Sequence, residues 1–198
     1  MQKVLFIHIP KTAGTSIASM FYRAVPIEEI NPVAPDSTIL FTDWKNADKY
    51  KYFFTHLPVY VRSIIPGESK FMFTFVRDPI DRARSAYNHI RRAPHHRAHV
   101  PIVRDNVSFE ESLTHPELWP DTSDVITRTL GLDLDLSTSL DDPQKMFAMD
   151  WAAVHKKPDD SMYLRARNRV DTEFDFIGFA DRLGDDMQAL GNLLGQAR

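Results

Sequence analysis

The 198-residue chain contains no cysteine, which excludes a disulfide scaffold, thiolate metal ligands and a cysteine nucleophile. It lacks any apolar run near the roughly 20 residues that cross a bilayer. Its first residues, Met1 to His8, turn polar too soon for a secretory signal, so cytoplasmic residence is the default expectation. Broad basicity is missing as well. The net charge is −3, and an extended nucleic-acid surface is disfavoured on that ground. There is no internal repeat, low-complexity tract or evident linker, and the length suits a single domain over residues 1–198. Hydrophobic residues at 43% and charged residues at 26% are the balance of an ordinary globular chain.

What charge there is has a pattern. Residues 1–76 carry 8 Lys/Arg against 6 Asp/Glu, residues 77–104 carry 7 against 2 with four histidines, and residues 105–198 carry 9 against 19. A short basic block inside an acidic chain suggests a local anion site.

The apolar run Val4 to Ile9 reads as a buried parallel strand that stops at Pro10. Ile17, Met20 and Phe21 then follow helical spacing, so the chain opens as strand, tight turn and helix. Residues 26–37 read as a proline-rich loop, and 38–42 and 50–55 as short strands. Phe71 to Val76 is a second buried strand. Asp78-Pro79 after it supplies an N-cap and a first-turn proline for another helix. On that helix Ile80, Ala83, Tyr87 and Ile90 are expected to pack on the sheet, with Arg82, Ser85, His89 and Arg92 on the opposite face. Residues 95–104 look irregular, 108–113 and 121–130 suggest short helices, and 143–155 a longer one. Phe174 to Phe179 reads as a last strand, followed by a helix with the stripe Leu183, Met187, Leu190, Leu193 and Leu194. Alternating strands and helices imply an α/β fold of three layers around a mainly parallel sheet.

The turn Pro10-Lys11-Thr12-Ala13-Gly14-Thr15-Ser16 joins a strand to a helix N-terminus, where unpartnered N–H groups and the helix dipole favour an anion. Gly14 leaves room for close approach, Thr12, Thr15 and Ser16 add hydroxyls, and Lys11 adds a mobile charge that can follow charge onto a leaving oxygen. The lysine precedes the glycine, so this is not a Walker A loop. The same residues would also suit a turn that merely caps the helix. At the second junction Arg77 ends a strand and Ser85 lies two turns along the helix. Two such strand ends could clamp a ligand with two separated phosphates; Arg77 could instead pair with Asp78 or Asp81.

Together, Phe6-Ile7-His8-Ile9-Pro10-Lys11-Thr12-Ala13-Gly14-Thr15-Ser16 and Phe73-Thr74-Phe75-Val76-Arg77-Asp78-Pro79-Ile80-Asp81-Arg82-Ala83-Arg84-Ser85-Ala86-Tyr87 resemble the two cofactor motifs of sulfotransferases. The likeness is to the group with heparan sulfate 2-O-sulfotransferase and bacterial relatives, whose donor is 3′-phosphoadenosine-5′-phosphosulfate (PAPS) and whose fold is P-loop-like. The resemblance implies that residues 11–16 hold the 5′-phosphosulfate, Lys11 assists departure, and Arg77 and Ser85 hold the 3′-phosphate. Phe176 to Leu183 also looks like the family's closing strand and helix. Thr127-Arg128-Thr129-Leu130 resembles a segment of relatives that carries Arg128 to the cofactor. Arg165, Arg167 and Arg169 could close over the cofactor or form a solvated basic strand.

Sulfuryl transfer can rely on lysine and backbone N–H groups with no metal, and a hydroxyl acceptor benefits from a general base. Histidine suits that task at neutral pH. His56, after the strand ending at Thr55, stands at a carboxyl strand end, and Thr55-His56-Leu57-Pro58 resembles the place of the family's catalytic histidine; it could also cap a helix from Pro58. His8 reads as a hydrogen-bonded core residue, His89 as a possible cofactor or acceptor contact, and His95, His96 and His99 as a solvated patch rather than metal ligands. The expectation is a PAPS-dependent sulfotransferase acting on a hydroxyl acceptor, a saccharide being favoured, with product adenosine 3′,5′-bisphosphate (PAP). The alternatives are a magnesium-dependent phosphoryl transferase or a non-catalytic nucleotide-binding module on the same fold.

Overall fold

Four apolar stretches rich in aromatic residues form the sheet: β1 (Lys3–Ile7), β2 (Tyr52–Thr55), β3 (Lys70–Val76) and β4 (Phe176–Phe179). They pair in the order β2-β1-β3-β4, every pair parallel. The computed structural model describes residues 2–31, 44–68 and 70–196; the strand expected at 38–42 lies outside them.

A parallel sheet must be covered on both faces, and the alternation of side chains sorts the covers. Val4, Phe6, Tyr52, Phe54, Phe71, Phe73 and Phe75 point to one face, against Ile17 and Phe21 of α1 (Gly14–Ala24) and Leu190 of the C-terminal helix, Leu183–Gln196. Leu5, Ile7, Phe53 and Met72 point to the other face, against the segments that carry Leu130, Met146, Met162 and Ala166. The architecture is α/β in three layers. In the C-terminal stripe, Leu190 is buried and Leu183, Met187 and Leu194 pack beside it, whereas Leu193 faces solvent.

The helix after β3 is α2 (Pro79–Arg92). Its Asp78 cap accepts from the amides of Ile80 and Asp81 at 2.9 and 3.0 Å. Its faces are not those expected from spacing alone. Ile80 is 54% exposed while Arg82 is only 2% exposed. Tyr87 and Ile90 pack not on the sheet but on Ala98, Ile102, Val107 and Leu118. Those residues lie in or beside a cap of short helices: α3 (His99–Arg104), α4 (Phe109–Ser112), α5 (Trp119–Thr122) and α6 (Val125–Gly131). The cap supplies an apolar surface that a single-helix reading could not see. It also turns part of the region expected to be irregular, residues 99–104, into helix.

α7 (Pro143–Val154) follows the expected span, and α8 (Asp160–Thr172) replaces the possible basic strand. Met162, Ala166 and Arg169 share the buried face of α8. Arg165 donates to the Gly131 carbonyl at 3.0 Å, and Arg169 to those of Leu130 and Leu132 at 3.0 and 2.6 Å. Two arginines thus satisfy the orphan carbonyls at the C-terminus of α6.

Candidate active site

The order β2-β1-β3-β4 places a topological switch at β1 and β3, because the chain leaves β1 toward β2 and later returns to β1's other side. Ligands of open α/β sheets bind outside the carboxyl ends of the strands at such a point. Ile7 pairs with Thr74, whose hydroxyl donates to the Ile7 carbonyl at 2.8 Å. β3 runs on to Val76, so Arg77 follows its carboxyl end as Pro10 follows that of β1, on the same rim of the sheet.

The turn after β1 is strained. Lys11 and Ala13 have φ of 73° and 68°, in the left-handed region that non-glycine residues avoid at a cost of about 1–2 kcal/mol each. Between them Thr12 is fully buried and its hydroxyl donates to the Ile9 carbonyl at 2.8 Å. The Thr12 hydroxyl therefore braces the turn. Thr15 and Ser16 are exposed at the start of α1; the Ser16 and Ile17 N–H groups donate to the Ala13 carbonyl at 3.0 and 3.2 Å, and those of Gly14 and Thr15 precede the first intrahelical bonds. Gly14 is explained by its neighbour: a Cβ there would sit 1.7 Å from Nε2 of His8. The sequence suggested room for an anion, and that space holds the His8 ring. Gly14→Ala is expected to displace the ring, lowering the urea midpoint and the activity together; unchanged values in both measurements would contradict this packing.

One face of α2 meets the turn. Arg82 extends Nη1 toward the Pro10 carbonyl at 3.5 Å and donates from Nη2 to the carbonyls of Asp121 and Thr122 at 3.0 and 2.8 Å. Burial, with Arg128 nearby and partly offset by Asp121, lowers its pKa to about 10. Burial and then Arg92 and Arg82 hold Lys11 below the usual lysine value. Burial, then Lys11, His96, His95 and Arg92, pushes His89 down. The side-chain charges acting on Lys11 and His89 are all positive. Ser85, half-buried, lies on α2 between Arg82 and His89, on the face these two define. Arg77 is half-buried, and among the described residues it pairs with neither Asp78 nor Asp81, since Asp78 is spent on capping. Lys11, with Arg82 and Arg92 as its charged neighbours beside a helix N-terminus, gives the rim a positive field that fits a polyanion with separated charged groups.

His56 follows β2 and reaches β1's end. Its Nε2 lies 2.8 Å from Nδ1 of His8, on backbones joined by the His8 amide and the Thr55 carbonyl, 2.8 Å apart. Burial, followed by His56 and Lys11, lowers the pKa of His8 to about 3. Four residues beyond His56, the Tyr60 hydroxyl donates to Asp150 of α7, whose carboxyl burial raises to about 6.

Residues 11–16, the α2 face with Ser85, and His56 therefore converge on one rim, which Arg77 also borders. Arg128 does not join them. It is 3% exposed, stacks 4.7 Å from the Trp119 ring, and gives its guanidinium to the carbonyls of Val154, Pro120 and Ser123. The two residues that sequence reasoning underrated are Arg82 and His8. The only signal for Arg82 was its place on the same helical face as Ser85, and for His8 its place two residues before Pro10. Among the described residues no three His, Asp or Glu side chains are grouped to hold a metal ion, and no helix is long and apolar enough to cross a membrane.

The site thus lies at the switch point of a parallel α/β sheet, where a strained turn meets a cationic helix face. The chain belongs to the sulfotransferase family, whose model matches residues 1–198. Among solved structures, mouse sulfotransferase SULT7A1 complexed with PAP is similar at 18% identity and a TM-score of 0.41, over 90% of this chain and 70% of that one. No curated protein matches.

Proposed function

We propose that the protein sulfates a hydroxyl group, with a carbohydrate as the favoured acceptor. The observation that carries the residue assignment is Lys11 beside the N-terminus of α1, with Arg92 and Arg82 as its charged neighbours and no carboxylate acting on it. PAPS, when bound, supplies an activated sulfuryl group attached to a phosphate that leaves readily. The amides that open α1, with Thr15 and Ser16, bind at its 5′ end, and Ala13 and Gly14 lend backbone alone. Arg77 and Ser85 bind at its 3′-phosphate. Lys11 brings positive charge to the oxygen that gathers negative charge. His56 accepts the proton that the acceptor hydroxyl releases.

Calorimetric titration is expected to show PAP binding and no binding of ATP with magnesium; the reverse would favour a phosphoryl transferase. With radiolabelled sulfate in PAPS, label should pass to members of a saccharide panel in preference to phenols. His56→Ala should keep PAP affinity and lose turnover by about two to four orders of magnitude. Full turnover in that variant would remove His56 from the chemistry.

A further inference from the structure

We propose that His8 is a positioning residue for His56: it fixes the orientation of that imidazole and accepts the second N–H of the imidazolium formed when His56 takes a proton. The inference rests on the reading of His56 as the base and assigns a role to its neighbour that the family resemblance did not supply.

The geometry is specific. The two rings sit 4.2 Å apart at 61°, with Nε2 of His56 and Nδ1 of His8 at hydrogen-bond distance, 2.8 Å. The His8 ring cannot swing away. Phe6 stacks on it at 5.3 Å and 14°, and the backbone of Gly14 occupies its other side so closely that a Cβ there would overlap the ring. The carrying backbones are joined across the sheet at the same level.

The surroundings keep His8 neutral. From beyond β2 it faces His56, and from the turn it faces Lys11, with Arg82 and Arg92 of α2 beyond that lysine. The first turn of α1, packed over the ring, contains no acidic residue. A cation at His8 would meet only positive partners in a desolvated place. A neutral imidazole has one donor and one acceptor nitrogen, whereas an imidazolium has two donors. Once His56 is protonated, its Nε2–H must therefore donate to Nδ1 of His8, which leaves the His8 proton on Nε2. The proton balance closes simply: the hydroxyl proton comes to rest on His56, and none passes to His8. The arrangement resembles a base held by a third group, with a neutral ring where a carboxylate often stands.

Long-range proton–nitrogen NMR spectra of the labelled full chain with PAP test this without turnover. His8 is expected to stay neutral with its proton on Nε2 from about pH 8 to about pH 5 while His56 titrates. His8→Phe keeps the ring and removes the acceptor, and should lower the His56 midpoint by about one pH unit. His8→Asn offers an amide oxygen and should restore part of that shift. PAP affinity should change little in either variant, while kcat on the labelled saccharide acceptor falls about tenfold or more in His8→Phe with KM nearly constant. Titration of His8 in that range, or an unmoved His56 midpoint in His8→Phe with PAP still bound, overturns the role of His8 alone. A wild-type chain that fails to bind PAP overturns the cofactor assignment and this role together.

Discussion

Lys11→Ala is expected to lower turnover by about two to three orders of magnitude, the effect of deleting one donor from a developing anion, with a much smaller loss of PAP affinity. The separation follows from what remains. The α1 amides, Thr15, Ser16, Arg77 and Ser85 stay in place to hold the nucleotide, while the charge at the leaving oxygen is gone. Lys11 also stands in an already cationic neighbourhood, with Arg92 and Arg82 holding its pKa down. Its removal relieves repulsion in the free protein and offsets part of any lost attraction. Pre-steady-state turnover alongside calorimetry separates the quantities. An equal fall in both would make Lys11 a binding group only.

The second large effect belongs to stability. Arg82→Met is expected to destabilise the fold by about 3 kcal/mol, because a buried acceptor left unpaired costs about 1–3 kcal/mol and two close ones are affected. The carbonyls of Asp121 and Thr122 lose their donor, and the Pro10 carbonyl loses its cationic neighbour. Methionine fills most of the volume, so packing loss is small. Urea unfolding should show a lower midpoint at constant slope, and PAP should bind more weakly through a less fixed turn. A midpoint equal to the wild type would mean that these contacts carry no net stability.

Local chemistry made the first half of the site legible. Pro10 ends β1, Asp78-Pro79 starts α2, and each signal acts within a few residues of where it is read. The faces of α2 were not legible in the same way. Tyr87 and Ile90 are apolar at helical spacing, but whether they meet a sheet or a cap depends on residues 98–118. The helices there have six and four residues, too short to show a period. Arg165, Arg167 and Arg169 alternate as a strand would. The deciding features were the Asp159 cap on the Met162 amide at 2.8 Å and the carbonyls of α6 that arginines could reach. Gly14 was singled out for its lack of a side chain, and the reason lies six residues earlier in His8. The left-handed Ala13 left no mark in the sequence at all.

The bridge made by Arg82 has a consequence for how such an enzyme can diversify. One side chain joins the donor turn to the last carbonyls of α5, so the two regions are inherited together. Transplanting residues 95–131 from another member would remove the brace unless the incoming segment offered oxygens at the same two places. Changes in this region are therefore accommodated most readily by exchanging outward side chains on an unchanged main-chain path.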